Sequence, residues 1–392
     1  MKLERVSNLN AEMLAIGPES KGYKIMRDKT QVVGFKIRRL KTPALQILKQ
    51  DALSIGAEVA TPSEAILCKD ASYDCLLFGN IKNLKLLAIK LQDQPFGLRA
   101  LGKELEAVLR EFKPIKICGL DFSTPRLMSI INVDSDSFYK EYQARDAIDQ
   151  IHKDLDQGAD IVDIGAASSR PGAPLIPPDI ELQRLGVIFD EVKGLCHKAI
   201  FSIDTYNPAV AAAALDYGFK IVNDISGQPE RMLGVLKDHK EAGYVLTHSR
   251  GQPENMQSLC DYENLVLDVS TFFEEKLEAL EEGGFENIIL DVGLGFAKDA
   301  LQNLELVGKL SHFTRFGLPL LIGCSHKSFL RKICESEEKT QLEATLLTNL
   351  LALQQGANIL RVHDLDSHKK FLKVASAFGL ANYTPSWIKG FL

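Results

Sequence analysis

The chain has 392 residues, more than one hydrophobic core usually holds, so two domains are expected. Hydrophobic residues make up 45% and charged residues 25%, an ordinary globular composition, and the net charge of −6 offers no overall positive field to a nucleic acid. The longest apolar stretches, such as Leu318–Gly323, are too short to cross a bilayer, and no apolar signal segment follows Met1-Lys2-Leu3-Glu4-Arg5. Seven cysteines, an odd number without CxxC spacing, argue against a disulfide framework or a structural zinc site, so a reduced cytoplasmic enzyme is expected.

Residues 1–115 read as a small α/β domain without a catalytic cluster. They carry an amphipathic segment at Pro43–Ser54, a turn at Ile55-Gly56-Ala57, a β-like run at Cys75–Phe78 and a helix-like stretch at Leu101–Phe112. Lys113-Pro114 marks the boundary, because proline disfavours helix in the residue before it. Residues 116–392 form the second domain. From about residue 127 short apolar runs recur: Leu127–Asn132, Ala159–Gly165, Ala199–Asp204, Phe219–Asn223, Tyr244–His248, Asn287–Asp291, Leu318–Gly323 and Ala357–Val362. Helical segments lie between most of them, at Ala144–Gln157, Ile180–Gly194, Pro208–Tyr217, Tyr262–Glu282 and Leu342–Gln354. Eight such units predict a (β/α)8 barrel, with an open doubly wound sheet as the alternative.

Polar residues end these runs: Asn132, Asp163, Asp204, Asn223, His248, Asp291, Lys327, Arg361 and His363. A barrel gathers its strand ends at one mouth, whereas an open sheet would spread them along an edge. Each Asp or Asn taken alone reads as readily as a helix cap or a turn residue. Together, Asp204, Asn223 and Asp291 supply carboxylate and amide groups at three strand ends, which can pair with the donor–acceptor edge of a flat heterocycle. Lys327 lies between small and apolar flanks, which suits a pocket. Arg361 and His363 share a face at i and i+2, so two cationic donors could meet one diphosphate; the alternative is an Arg361–Asp364 pair beside a core histidine.

Several segments resemble the dihydropteroate synthase family. These are Ile131-Asn132-Val133-Asp134-Ser135-Asp136-Ser137-Phe138, Asp163-Ile164-Gly165-Ala166-Ala167-Ser168-Ser169-Arg170-Pro171-Gly172, Asp291-Val292-Gly293-Leu294-Gly295-Phe296-Ala297-Lys298, Ser325-His326-Lys327-Ser328 and Arg361-Val362-His363-Asp364. Shorter matches at Ser202–Thr205, Asn223–Gly227 and His248–Gly251 fall in the right order, so the resemblance covers roughly residues 115–385. It implies a TIM-barrel transferase of folate biosynthesis that joins a dihydropterin diphosphate to p-aminobenzoate, a sulfonamide target and usually a homodimer. By resemblance Asp204, Asn223, Asp291 and Lys327 hold the pterin. Asn132, Ser169, Arg170, Pro171, Phe296, Ser325, Arg361 and His363 serve the diphosphate and aminobenzoate, Asn132 helping to hold Mg2+. Arg361, His363 and Lys327 are the residues expected to carry catalysis.

The chain departs from the family's pattern at Asp134-Ser135, where Thr-Pro is usual, at Ala167 for Glu, at Ser169 for Thr and at His326 for Arg. These departures fall at the aminobenzoate end. A methyltetrahydrofolate methyltransferase, or a pterin-binding protein without catalysis, are the competing readings. The first has no use for a diphosphate pocket; the altered first loop is the support for the second. Residues 1–115 add a resemblance, at Lys41–Leu45 and Gln94–Gly97, to an extension found ahead of some bacterial synthases.

Overall fold

The computed structural model describes residues 3–6, 9–69, 71–109, 116–133, 140–167, 174–251, 254–337 and 341–380. The chain divides into two compact units, Met1–Glu111 and Phe112–Leu392. The Lys113-Pro114 step lies outside the described residues.

The first unit holds a three-stranded antiparallel sheet of β1 (Val32–Lys41), β2 (Glu58–Ala60) and β3 (Ser72–Asn80), in the order β1-β3-β2. Helices Thr42–Ser54, Ile81–Leu91 and Leu98–Val108 enclose its core of Leu45, Leu48, Leu77, Leu84, Leu87 and Leu91, all fully buried. The amphipathic segment expected at Pro43–Ser54 forms one residue longer. The β-like run at Cys75–Phe78 widens to nine residues because its antiparallel partner β1 extends the ladder on both sides.

The second unit opens with a hairpin, β4 (Lys116–Ile117) and β5 (Leu120–Asp121). Eight parallel strands then close into a barrel: β6 (Arg126–Asn132), β7 (Ile161–Gly165), β8 (Ile200–Asp204), β9 (Ile221–Asp224), β10 (Gly243–Thr247), β11 (Ile288–Asp291), β12 (Leu320–Ile322) and β13 (Ile359–Val362). Each expected apolar run overlaps one of them, with β6, β9 and β10 each reaching one residue beyond it, and the helix expected at Leu342–Gln354 has those bounds. Closure excludes the open sheet: β13 pairs with β6 through Ile359↔Arg126 and Val362↔Ser129.

Alternation along the strands decides what the barrel contains. Met128, Ile161, Ile221, Val245, Ile289, Leu321 and Ile359, one from each of seven strands, pack together with Ile117 and Phe122 of the hairpin segment. This apolar layer is the floor. Their sequence neighbours, such as Leu127, Val162, Val222, Leu246, Leu290 and Leu360, join the outer core beneath the helices. Two residues further along, on the inward face, the side chains turn polar: Asp163, Asn223, Thr247, Asp291 and Arg361, with Ser202 and Asp204 from β8. An apolar floor under a polar mouth makes the C-terminal strand ends the place for chemistry.

Candidate active site

The mouth is organised by one guanidinium. Arg361, near the end of β13, donates from Nε to Asp163 Oδ2 at 2.6 Å and from Nη2 to Asp204 Oδ2 at 2.5 Å. Asp163 on β7 is fully buried, and its Oδ2 also accepts from Asn223 Nδ2 on β9 at 2.9 Å. Four strands therefore meet in one network. Gly165 makes room for it, since a Cβ there would lie 3.1 Å from that of Asp204.

Burial sets the electrostatics. It pushes the Asp204 carboxyl up, against the pull of Arg361, to about 7. Asp291 is likewise raised by burial, although its Oδ1 accepts from the Gly293 N–H at 2.8 Å. Burial works against the Arg361 charge too, but Asp163 and Asp204 outweigh it and hold the guanidinium protonated. Lys327, following β12, is pushed down by burial and by Arg361, while Asp291 and Asp204 draw it back up. Its Nζ stands 4.7 Å from the Phe296 ring centroid, so the expected aminobenzoate wall and the expected pterin lysine are in contact.

His363 just beyond β13 accepts a different role from the cationic one expected. Burial, His326 and Arg361 push it down to about 4, so at neutral pH the imidazole is uncharged. Ser325 Oγ accepts the His363 backbone N–H at 3.3 Å and lies 3.0 Å from its Nδ1. The alternative pairing of Arg361 with Asp364 does not form. Asp364 Oδ2 accepts instead from His326 Nε2 at 2.7 Å, and His326 Nδ1 accepts the Gln341 N–H at 3.1 Å.

Of the residues singled out in the sequence, Asp204, Asn223, Asp291, Lys327, Arg361, Phe296, Ser325 and His363 gather at this mouth, with Asn132 exposed at the end of β6 beside its register partner Gly165. Ser169, Arg170 and Pro171, and the divergent Asp134-Ser135, lie outside the described residues. Two further buried groups belong to the site. Asp163 is one. Lys298 is the other: 3% exposed, its Nζ reaches His248 Nδ1 at 2.8 Å and donates to the carbonyls of Gly293 and Phe296, each at 2.9 Å. Burial drives this lysine down to about 7. His248 is thereby a structural partner, packed edge-on against Phe272 at 4.8 Å. A buried lysine three residues past Gly295 has no periodic signature, because its partners are backbone carbonyls of its own loop. His368, on helix Leu365–Ala377, is fully buried and paired with Asn349 at 2.9 Å.

Beside this network an apolar wall of Tyr206, Ile225, Met256 and Phe296 lines a cleft with Ser226, Ser249 and Gly251. A flat ring fits such a place: polar groups for its edge, apolar ones for its faces.

Comparison with known proteins agrees. Residues 128–363 match the family described as pterin binding enzyme. A bifunctional dihydropteroate synthase/dihydropteroate reductase of Helicobacter pylori is 41% identical over 379 residues, 94% of this chain and 97% of that one. The dihydropteroate synthase of Yersinia pestis, solved as a sulfonamide drug complex, has a TM-score of 0.63 at 30% identity, covering 68% of this chain and 99% of that chain. That of Burkholderia cenocepacia, complexed with 7,8-dihydropteroate, has a TM-score of 0.59 at 30% identity, covering 68% and 96%. The chain belongs to the dihydropteroate synthase family of pterin-binding enzymes.

Proposed function

We infer that the chain is a dihydropteroate synthase: it displaces diphosphate from the methylene carbon of a dihydropterin diphosphate with the amine of p-aminobenzoate. The observation that supports this most is the meeting of Asp204, Asn223 and Asp291 with Arg361 and Lys327 over an apolar floor. The three acceptors take the N–H edge of the pterin, and the Phe296 wall takes its face. Lys327 lies at the junction between ring and aminobenzoate. Arg361 enters the reaction with Nε and Nη2 bound to carboxylates, so it serves the diphosphate through Nη1, which has no partner among the described residues. His363 adds a neutral imidazole there. The arylamine is uncharged at neutral pH, so attack needs no strong base, and stabilising the departing diphosphate is the main task.

The donor set fits a magnesium ion that arrives with its substrate. Among the described residues no group of three or more His, Cys, Asp and Glu could hold a metal, while Asn132 offers one hard oxygen at the mouth. Magnesium typically keeps few protein ligands and completes its shell with phosphate oxygens and water. When bound, it neutralises charge on the leaving diphosphate. Diphosphate release on adding p-aminobenzoate to enzyme and pterin diphosphate tests the activity, and chelation should abolish it. Binding without release would favour the non-catalytic reading.

Two further readings have their own support. Leu301 and Leu304 on helix Ala300–Gly308, with Leu347 and Leu351 on helix Leu342–Gln354, are exposed leucines on neighbouring helices, which suits a homodimer. All seven cysteines are unpaired, which suits a reducing cytoplasm. The match to the bifunctional Helicobacter pylori protein spans 94% of the chain, so it includes the first unit. We infer a dihydropteroate reductase activity as well. The test is hydride transfer to dihydropteroate from a reduced nicotinamide or flavin, and its absence with both donors would refute this.

A further inference from the structure

We propose that Asp163 is a positioning residue that fixes which end of the Asn223 amide meets the substrate, so that the pocket presents a carbonyl oxygen there. The inference deepens the pterin-site reading and rests on it.

Asp163 points inward from β7 and is fully buried. One oxygen, Oδ2, accepts from Arg361 Nε at 2.6 Å and from Asn223 Nδ2 at 2.9 Å. An amide has one donating and one accepting end. A carboxylate bound by a guanidinium only accepts, so the amino end of Asn223 must turn towards it. The accepting end, Asn223 Oδ1, is left for the cavity. Nothing else restrains this carboxylate: Asp163 Oδ1 is buried without a partner among the described residues, as is Ser202 Oγ on the register-paired neighbour.

The consequence is a pocket whose recognition edge is all acceptor: Asp204, Asp291 and Asn223 Oδ1. A reduced pterin offers a 2-amino group and ring N–H groups to such an edge. A heterocycle presenting a bare ring nitrogen to Asn223 would leave two acceptors facing each other, and a buried unpaired pair is strongly disfavoured. With the amide turned round, that selectivity would invert. Asp163 touches no substrate atom in this arrangement; it acts through its neighbour.

The test measures calorimetric affinity of the full chain for 6-hydroxymethyl-7,8-dihydropterin, which lacks the diphosphate and so removes the phosphate-binding role of Arg361. Asp163→Asn keeps an accepting oxygen but drops the charge; Asp163→Ala removes both. Losing one buried hydrogen-bonding orientation should weaken binding about tenfold or more in Asp163→Ala, while Asp163→Asn stays within about threefold of wild type. In an Asn223→Ala background the Asp163→Ala step should shrink to less than about threefold, as coupled residues require. The inference is overturned if Asp163→Asn is as damaging as Asp163→Ala, since charge would then matter and not orientation. It is equally overturned if Asp163→Ala binds as wild type does, or if its effect persists undiminished without Asn223. A wild-type chain that does not bind the pterin overturns the pterin reading and this inference with it.

Discussion

Replacing Arg361 with alanine tests whether the mouth is held together by charge compensation. Its side chain is 16% exposed, and those of Asp163 and Asp204 are 0% and 7% exposed, so solvent screens the three little. Removing one partner of such a buried cluster costs about 3–5 kcal/mol, because the carboxylates stay buried without a counter-charge. The protein can escape part of that cost by taking up a proton, which gives the loss a definite pH dependence. A carboxyl whose folded pKa is raised contributes stability that is complete below its unfolded value and fades as pH rises through the folded value. For Asp204 that window runs from 3.8 to about 7 with Arg361 in place. Without the guanidinium its upper limit moves above 7. Urea unfolding at pH 5.5, 7 and 8.5 should therefore show a destabilisation that grows with pH, most clearly above 7. A cost below about 1 kcal/mol, or one equal at all three pH values, would refute the compensation argument.

Other perturbations have equally defined outcomes. Gly293 has φ +69°, and a Cβ there would lie 2.0 Å from the His248 carbonyl oxygen, so Gly293→Ala should abolish the soluble, cooperatively melting protein; a normal melting curve would contradict this. Lys298 is depressed to about 7, so folded protein binds fewer protons than unfolded protein between there and its ordinary value; wild type should gain stability over Lys298→Met as pH rises from 7 to 10, and parallel profiles would count against a buried, mostly neutral amine. Leu347 is 61% exposed on helix Leu342–Gln354, so Leu347→Glu should convert a dimer to monomer in light scattering while leaving the melting temperature nearly unchanged. Finally, burial pushes Asp204 and Asp291 up and Lys327 down, so both signs sit nearer neutrality before substrate arrives. A donor edge and an anionic tail should restore both charges. Binding enthalpy of the pterin diphosphate should then vary with the buffer's ionisation enthalpy at pH 7, and an invariant enthalpy would rule out that proton exchange.

What the sequence could convey depended on whether a partner lay along the chain or across it. Strand positions were legible because an inward apolar residue, such as Ile161 or Ile289, recurs once per βα unit and the helices between carry their own period. Asp204, Asn223 and Asp291 were legible for a related reason: each sits two residues past a floor or inward residue, so alternation alone places it at the mouth. The helices Pro229–Asp238, Ala300–Gly308 and Leu365–Ala377 were not, although the second carries a full capping box at Asp299. Nor could alternation reveal what Arg361 does. The distance from residue 361 to residue 163 in sequence is closed only by the pairing of β13 with β6 and of β6 with β7, which puts the two strands one apart. A guanidinium at that place meets carboxylates before it meets any substrate, so its charge is already committed to Asp163 and Asp204. His363, two residues beyond Arg361, is no second cation for a different reason: burial pushes its imidazole down, and His326 and then Arg361 add to that. Burial, more than the neighbouring guanidinium, keeps the imidazole from carrying charge.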